Sequence, residues 1–127
     1  MEKMGDLTAN FSRHEFACKC GCGLDNINPV IVAMCQDLRE AMGEPIRINS
    51  GCRCPARNKA AGSTSTNHVN GNAADLSCKS GHAALYKKAK EIYAKGKLRG
   101  LDLCLLEGAW VHIDCNGKRR NGVFQTL

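Results

Sequence analysis

The segment Thr66-Asn67-His68-Val69-Asn70-Gly71-Asn72-Ala73-Ala74-Asp75 sets an imidazole and a carboxylate seven residues apart. That interval is about 10 Å along a helix and more than roughly 20 Å along a strand, too far in either case for one metal ion to take both. The chain must turn between them, and Asn70-Gly71 is a strong turn signal. Folding back there could bring a loop histidine and a strand aspartate onto one cation. With Ala74 and Leu76 directed into the core, Asp75 and Ala73 would face the other way, the small Ala73 leaving room for a ligand. In Trp110-Val111-His112-Ile113-Asp114-Cys115, strand alternation puts Val111, Ile113 and Cys115 on an apolar face and Trp110, His112 and Asp114 on the opposite one. His112 could complete a His, Asp, His set. Three protein ligands and one open position are what a catalytic zinc needs, because water bound there drops to a pKa of about 7.

Thiols are the second chemical resource. Nine cysteines stand at 18, 20, 22, 35, 52, 54, 78, 104 and 115. Cys18, Cys20, Cys22 and the pair Cys52, Cys54 could supply a structural zinc site that pins the N-terminal loop beside Arg53. Structural sites usually space their ligands by two or more residues, so C-x-C is weaker evidence than C-x-x-C. Reduced thiols, or disulfides formed after release from the cell, are the alternatives. Cys35 and Cys115 fall on apolar stripes and are expected in the core.

The elements that must position these groups are legible in outline. Ser12 to Glu15 fits a capping box opening a helical turn over 13–16, followed by a glycine-rich cysteine loop. Asn28 as N-cap and Pro29 at the first helical position begin a helix whose apolar residues Val30, Ile31, Met34, Cys35, Leu38 and Met42 keep helical spacing until Gly43. A short strand over 46–49 delivers Ser50, Gly51, Cys52 and Arg53 to its end. A helix over about 82–95 buries Leu85, Ala89, Ile92 and Tyr93. Strands over 101–106 and 110–115 form a hairpin around Glu107-Gly108-Ala109. The expected fold is α+β, a small antiparallel sheet flanked by helices.

Length and composition narrow the function classes. At 127 residues there is room for one domain, 1–127, and none for a separate wall-binding or DNA-binding domain. Hydrophobic residues at 43% and charged residues at 24% exclude a disordered or fibrous chain. The net charge of +6 draws the protein towards polyanions. Aromatics are only 5%, and basic residues cluster only at Lys87, Lys88, Lys90 and Lys118, Arg119, Arg120, so a nucleic-acid partner lacks its stacking platform. No apolar run reaches the roughly 18 residues of a membrane span, and residues 1–13 have no apolar h-region. Cytoplasmic synthesis without a signal peptide is therefore expected.

The runs His68-Val69-Asn70-Gly71-Asn72-Ala73-Ala74-Asp75, Trp110-Val111-His112-Ile113-Asp114 and Ser50-Gly51-Cys52-Arg53 together resemble the zinc D-alanyl-D-alanine carboxypeptidase and L-alanyl-D-glutamate peptidase family, whose members cut the peptide stems of bacterial murein. The opening Asn10-Phe11-Ser12 with Glu15-Phe16 and the cysteine loop is most similar to small single-domain members from phages and prophages, the likeness covering about residues 7–117. The resemblance implies a LAS-type fold (Hedgehog and D-Ala-D-Ala peptidase type), zinc on His68, Asp75 and His112, and substrate contact by Arg53. Arg53's fixed charge suits a carboxylate or developing oxyanion, and Trp110 is expected to bind substrate, as a wall of the cleft or in the chemistry itself, the alternative being a half-buried packing residue. Taken singly, each histidine would be a surface or hydrogen-bonded residue; three groups in this context point to a metal.

The chain departs from the family in places. Thr66 stands where a serine is usual, Trp110 where some branches have histidine, and Ala109 where others have an acidic residue. Two carboxylates could instead serve as general base: Glu107 in the hairpin turn, slightly favoured, and Asp114, which could equally fix the His112 ring.

The implied activity is a zinc metallopeptidase of endolysin type acting on bacterial peptidoglycan peptide, D,D-carboxypeptidase or L-alanyl-D-glutamate endopeptidase. It would work as a monomer, with no nucleic-acid or membrane partner. It would reach the wall by phage-type lysis or virion delivery. The alternative is a non-catalytic zinc-containing binding module of the same fold, as the Hedgehog signalling domain resembles it.

Overall fold

The structure is a computed structural model that describes residues 6–63, 65–115 and 121–127. Four helices, α1 (Arg13–Phe16), α2 (Pro29–Met42), α3 (Pro55–Ala60) and α4 (His82–Ala94), accompany five strands, β1 (Ile46–Ser50), β2 (Ala73–Cys78), β3 (Leu103–Leu106), β4 (Val111–Asp114) and β5 (Val123–Thr126). The strands form one sheet in the order β1-β2-β4-β3-β5. The α+β expectation holds. The first four strands pair antiparallel as expected, but β5 adds itself parallel to β3, which makes the sheet mixed.

Local chemistry accounts for the helix ends. Glu15 reaches back to accept the Ser12 N–H at 2.7 Å, opening α1. Asn28 Oδ1 accepts the Val30 N–H at 2.9 Å, Pro29 occupies the position that needs no donor, and Gly43 closes α2 in the left-handed region at φ 67°. Ile31, Met34, Cys35 and Leu38 of α2 are fully buried. Val30, expected on the same stripe, is instead 36% exposed, because it sits in the first turn, lying over Gly100 at the surface.

The sheet has two unlike faces. Ala74 and Leu76 of β2, Val111 and Ile113 of β4 and Cys104 of β3 enter a single apolar cluster with Leu85 and Ala89 of α4 and Leu38 of α2. The residues that alternate with them, Asp75, Leu103, Leu105, His112 and Asp114, line a cleft on the other side. Cys35 is in the core as expected, whereas Cys115 is only half-buried against it.

Phe124 of β5 packs edge-on between Tyr86 and Tyr93 of α4, at centroid distances of 5.8 and 5.6 Å. This aromatic contact anchors β5 on the edge that β3 would otherwise expose. Among the described residues no helix is long and apolar enough to cross a membrane. The basic trio Lys118, Arg119 and Arg120 lies outside the described residues.

Candidate metal centre

The register between β2 and β4 builds the centre. Asp75 lies directly opposite His112, and Ala73 opposite Asp114, so the carboxylate of one strand and the imidazole of the next project side by side from the same face. His68 comes from the turn before β2. Gly71 closes that turn at φ 74°: its N–H donates to the His68 carbonyl at 3.2 Å, and its own carbonyl accepts the Asn28 N–H at 2.8 Å. The turn is thereby tied to the start of α2.

His68 is 4% exposed, and its Nδ1–H donates to the Gly51 carbonyl at 2.7 Å. A carbonyl can only accept, so Nδ1 carries a proton, and Nε2 faces Asp75 Oδ1, 3.5 Å away. Gly51 can hold this post because it has no side chain: a Cβ there would lie 2.7 Å from the Phe16 carbonyl oxygen. On the other ring, His112 Nε2–H donates to Asp114 Oδ2 at 2.9 Å, and Nδ1 lies 3.0 Å from Asp75 Oδ1. Asp114 is fully buried, and its Oδ2 also receives the Asn67 amide at 3.3 Å.

The three inward atoms, His68 Nε2, Asp75 Oδ1 and His112 Nδ1, belong to one cluster whose ligand atoms all lie within 4.8 Å of one another. A tetrahedral ion with bonds of about 2.0–2.1 Å has ligand-to-ligand edges of about 3.3 Å, so the 3.0 and 3.5 Å separations suit it. Each imidazole also has its outer nitrogen committed to a fixed acceptor, Gly51 or Asp114, as metal-bound histidines require. The donor set therefore fits a borderline divalent ion of the zinc kind.

Electrostatics agree with this geometry. Burial alone would raise the Asp75 carboxyl, but hydrogen bonds from His112 and His68 and their charge outweigh it and hold it at about 2. Burial would likewise discharge His112, yet Asp114 and Asp75 on either side raise it to about 9. The two acidic side chains flanking the ring thus favour its charged form.

Arg53 stands beside the cluster in a three-way clamp. Its Nε donates to Ser50 Oγ at 3.0 Å, Nη1 to Asn58 Oδ1 at 3.4 Å and Nη2 to Asp75 Oδ2 at 3.2 Å. It pairs with a carboxylate and lines the cleft as well. Sequence reasoning did not find Asn58, held by Ser65 and by α3, nor Asn67. The signal for α3 was present in Pro55 following Cys54, whose sulfur caps the helix.

The cleft measures about 390 Å³, and Glu107 and Trp110 line it at the hairpin turn, which the Glu107 N–H closes on the Trp110 carbonyl at 3.0 Å. The Glu107 carboxylate bonds to no other described side chain. The Trp110 indole N–H is buried without a hydrogen-bond partner among the described residues. His68, Asp75, His112, Arg53, Glu107, Trp110 and Asp114 thus all meet in one place. Of the five cysteines considered for a second site, Cys18, Cys20, Cys22 and Cys54 converge. Cys52 does not: it is 1% exposed and belongs to the apolar core, because alternation along the chain after β1 turns it inward.

None of the curated proteins compared with the chain matches it. A family model described as Peptidase M15 matches residues 9–114, a span that holds every residue of the centre just described. Since that match covers most of the sequence, the chain belongs to the peptidase M15 family, whose members are zinc-dependent peptidases.

Proposed function

We propose that the protein hydrolyses a peptide bond in the stem peptides of bacterial murein, with zinc held by His68, Asp75 and His112. The observation that carries this reading is the opening of those three groups, with Arg53 and Glu107, onto one cleft. Zinc, when bound, supplies Lewis-acid polarisation of the scissile carbonyl and makes water a usable nucleophile near neutral pH.

The chain's own residues do the rest. Arg53, its guanidinium fixed by Ser50, Asn58 and Asp75, presents a permanent charge to a stem carboxylate or to the oxyanion that develops during attack. Glu107, whose carboxylate has no competing partner among the described residues, takes the proton of the attacking water and delivers it to the leaving amine. Asp114 is the positioning residue: it holds the His112 ring so that Nδ1 faces the cluster. Trp110 walls the cleft. The charge of +6 favours approach to anionic wall polymers, where delivery by lysis or with a virion would bring the protein.

Mass spectrometry of purified murein fragments, incubated with zinc-loaded protein and with His112→Ala as control, tests the proposal. A product made only by the wild type establishes the peptidase and names the bond by its mass. Intact fragments in both, with zinc bound to the wild type, would leave a binding module of the same fold.

Metal uptake carries a second expected result. Metal-free His112 holds a proton up to a pH of about 9, and coordination through Nδ1 requires its loss. Zinc binding near pH 7 should release about one proton, and apparent affinity at this centre should rise about tenfold per pH unit up to about pH 9. Calorimetry in buffers of different ionisation enthalpy reads the proton directly.

A further inference from the structure

The loop after α1 and the start of α3 bring four sulfur atoms together away from the cleft residues. Cys18 Sγ and Cys20 Sγ are 3.4 Å apart, Cys20 Sγ and Cys54 Sγ are 3.5 Å apart, and all four thiols, Cys22 included, lie within 4.8 Å of one another. A disulfide would need a separation of about 2.0 Å. A tetrahedral ion with Zn–S bonds of about 2.3 Å has sulfur-to-sulfur edges of about 3.8 Å, which is the spacing these atoms approach.

Three cysteines at alternate positions do not converge unless the chain bends sharply. In a strand Cys18 and Cys22 would be about 13 Å apart. Gly21 and Gly23 take φ of 81° and 88°, and the Cys18 N–H donates to the Leu24 carbonyl at 2.8 Å, curling the loop so that its thiols face one point. The fourth comes from 34 residues further along the chain than Cys20, at the N-cap of α3. Backbone donors already point at the sulfurs: the Cys54 N–H at Cys18 Sγ and the Arg57 N–H at Cys54 Sγ, both at 3.4 Å. N–H groups aimed at sulfur favour its anionic form, the form that binds metal.

We propose that Cys18, Cys20, Cys22 and Cys54 bind a second ion, a structural zinc in an all-thiolate tetrahedron, which fastens the N-terminal loop to the segment bearing Arg53. Four soft sulfur donors select zinc over magnesium or calcium and leave no open position for substrate, so this ion does no hydrolysis. Its leverage is positional. Cys54 follows Arg53 directly, and the same stretch supplies the Gly51 carbonyl that orients His68. The ion would hold the arginine's backbone through a residue that does not itself line the cleft.

The test is cobalt substitution of full-length protein prepared under reducing conditions, with metal content measured in parallel. The wild type should carry about two zinc ions per chain, and His112→Ala should keep about one. Cobalt in His112→Ala should give the strong near-ultraviolet charge-transfer absorption of thiolate ligation. Cys18→Ser should abolish it. Because Cys18 is buried and that variant could fail to fold, the exposed Cys22→Ser is the companion: it should weaken the absorption and lower retention of the second ion by at least tenfold. Cobalt-loaded His112→Ala without sulfur charge transfer, or a Cys22→Ser variant with unchanged spectrum and retention, would overturn the proposal. The signature is specific to sulfur, so it stands or falls separately from the hydrolytic reading.

Discussion

Replacing Glu107 by glutamine is expected to lower kcat on a murein stem peptide by roughly 10²–10⁴-fold, the usual contribution of a positioned general base, with little change in zinc content. The substitution keeps size and polarity and removes only the capacity to accept a proton. Asp114→Asn gives the contrasting result. Asp114 is fully buried on the outer nitrogen of His112, so its loss should act through the ring, weakening zinc affinity by about 10–100-fold. Adding zinc should then restore much of the Asp114→Asn activity and none of that of Glu107→Gln. Were Asp114→Asn the variant that zinc cannot rescue, and Glu107→Gln active, the two roles would be exchanged.

The largest expected loss of stability lies at Gly71. It sits at φ 74°, where a side chain costs about 1–2 kcal/mol, and a Cβ would lie 2.0 Å from the Asn26 carbonyl oxygen. A backbone atom cannot swing aside as a flexible side chain can, so overpacking adds about 1–3 kcal/mol, and Gly71→Ala should destabilise by roughly 2–5 kcal/mol in chemical denaturation. Gly43→Ala provides the control. Its φ of 67° is similar, but nothing lies within 4 Å of the added atom, so only the conformational cost of about 1–2 kcal/mol should appear. Because the Gly71 N–H bonds the His68 carbonyl, Gly71→Ala should also lower zinc affinity, whereas Gly43→Ala should not.

Both effects depend on features of different legibility. Strand alternation was enough to place Val111 and Ile113 in the core and His112 and Asp114 opposite them, since the period of two needs no knowledge of the partner strand. Asn28, Pro29 and Gly43 marked α2 for the same local reason. Which strand lies beside β4 is a long-range matter, and the pairing of Asp75 with His112 follows from packing between segments almost forty residues apart. Asn58 and Asn67 escaped notice because an asparagine that holds a loop has no spacing to betray it. Strand β5 is four residues long and half-exposed, and its anchor, Phe124 between two tyrosines of α4, exists only after folding. Cys52 and Cys54 are two apart in sequence, yet one joins the core and the other the thiol cluster, a division that spacing alone could not make.

If His68, Asp75 and His112 hold zinc as proposed, the pairing of Asp75 with His112 makes the ion a proofreader of the sheet. A ladder slipped by one residue would turn His112 and Asp114 towards the helices and bring Val111 and Ile113 to the cleft, leaving Asp75 with no imidazole beside it. Only chains zipped in the native register would offer all three ligands, so zinc present during refolding should draw the population towards that register by mass action. A misaligned chain gains nothing from the ion and remains free to dissociate and try again.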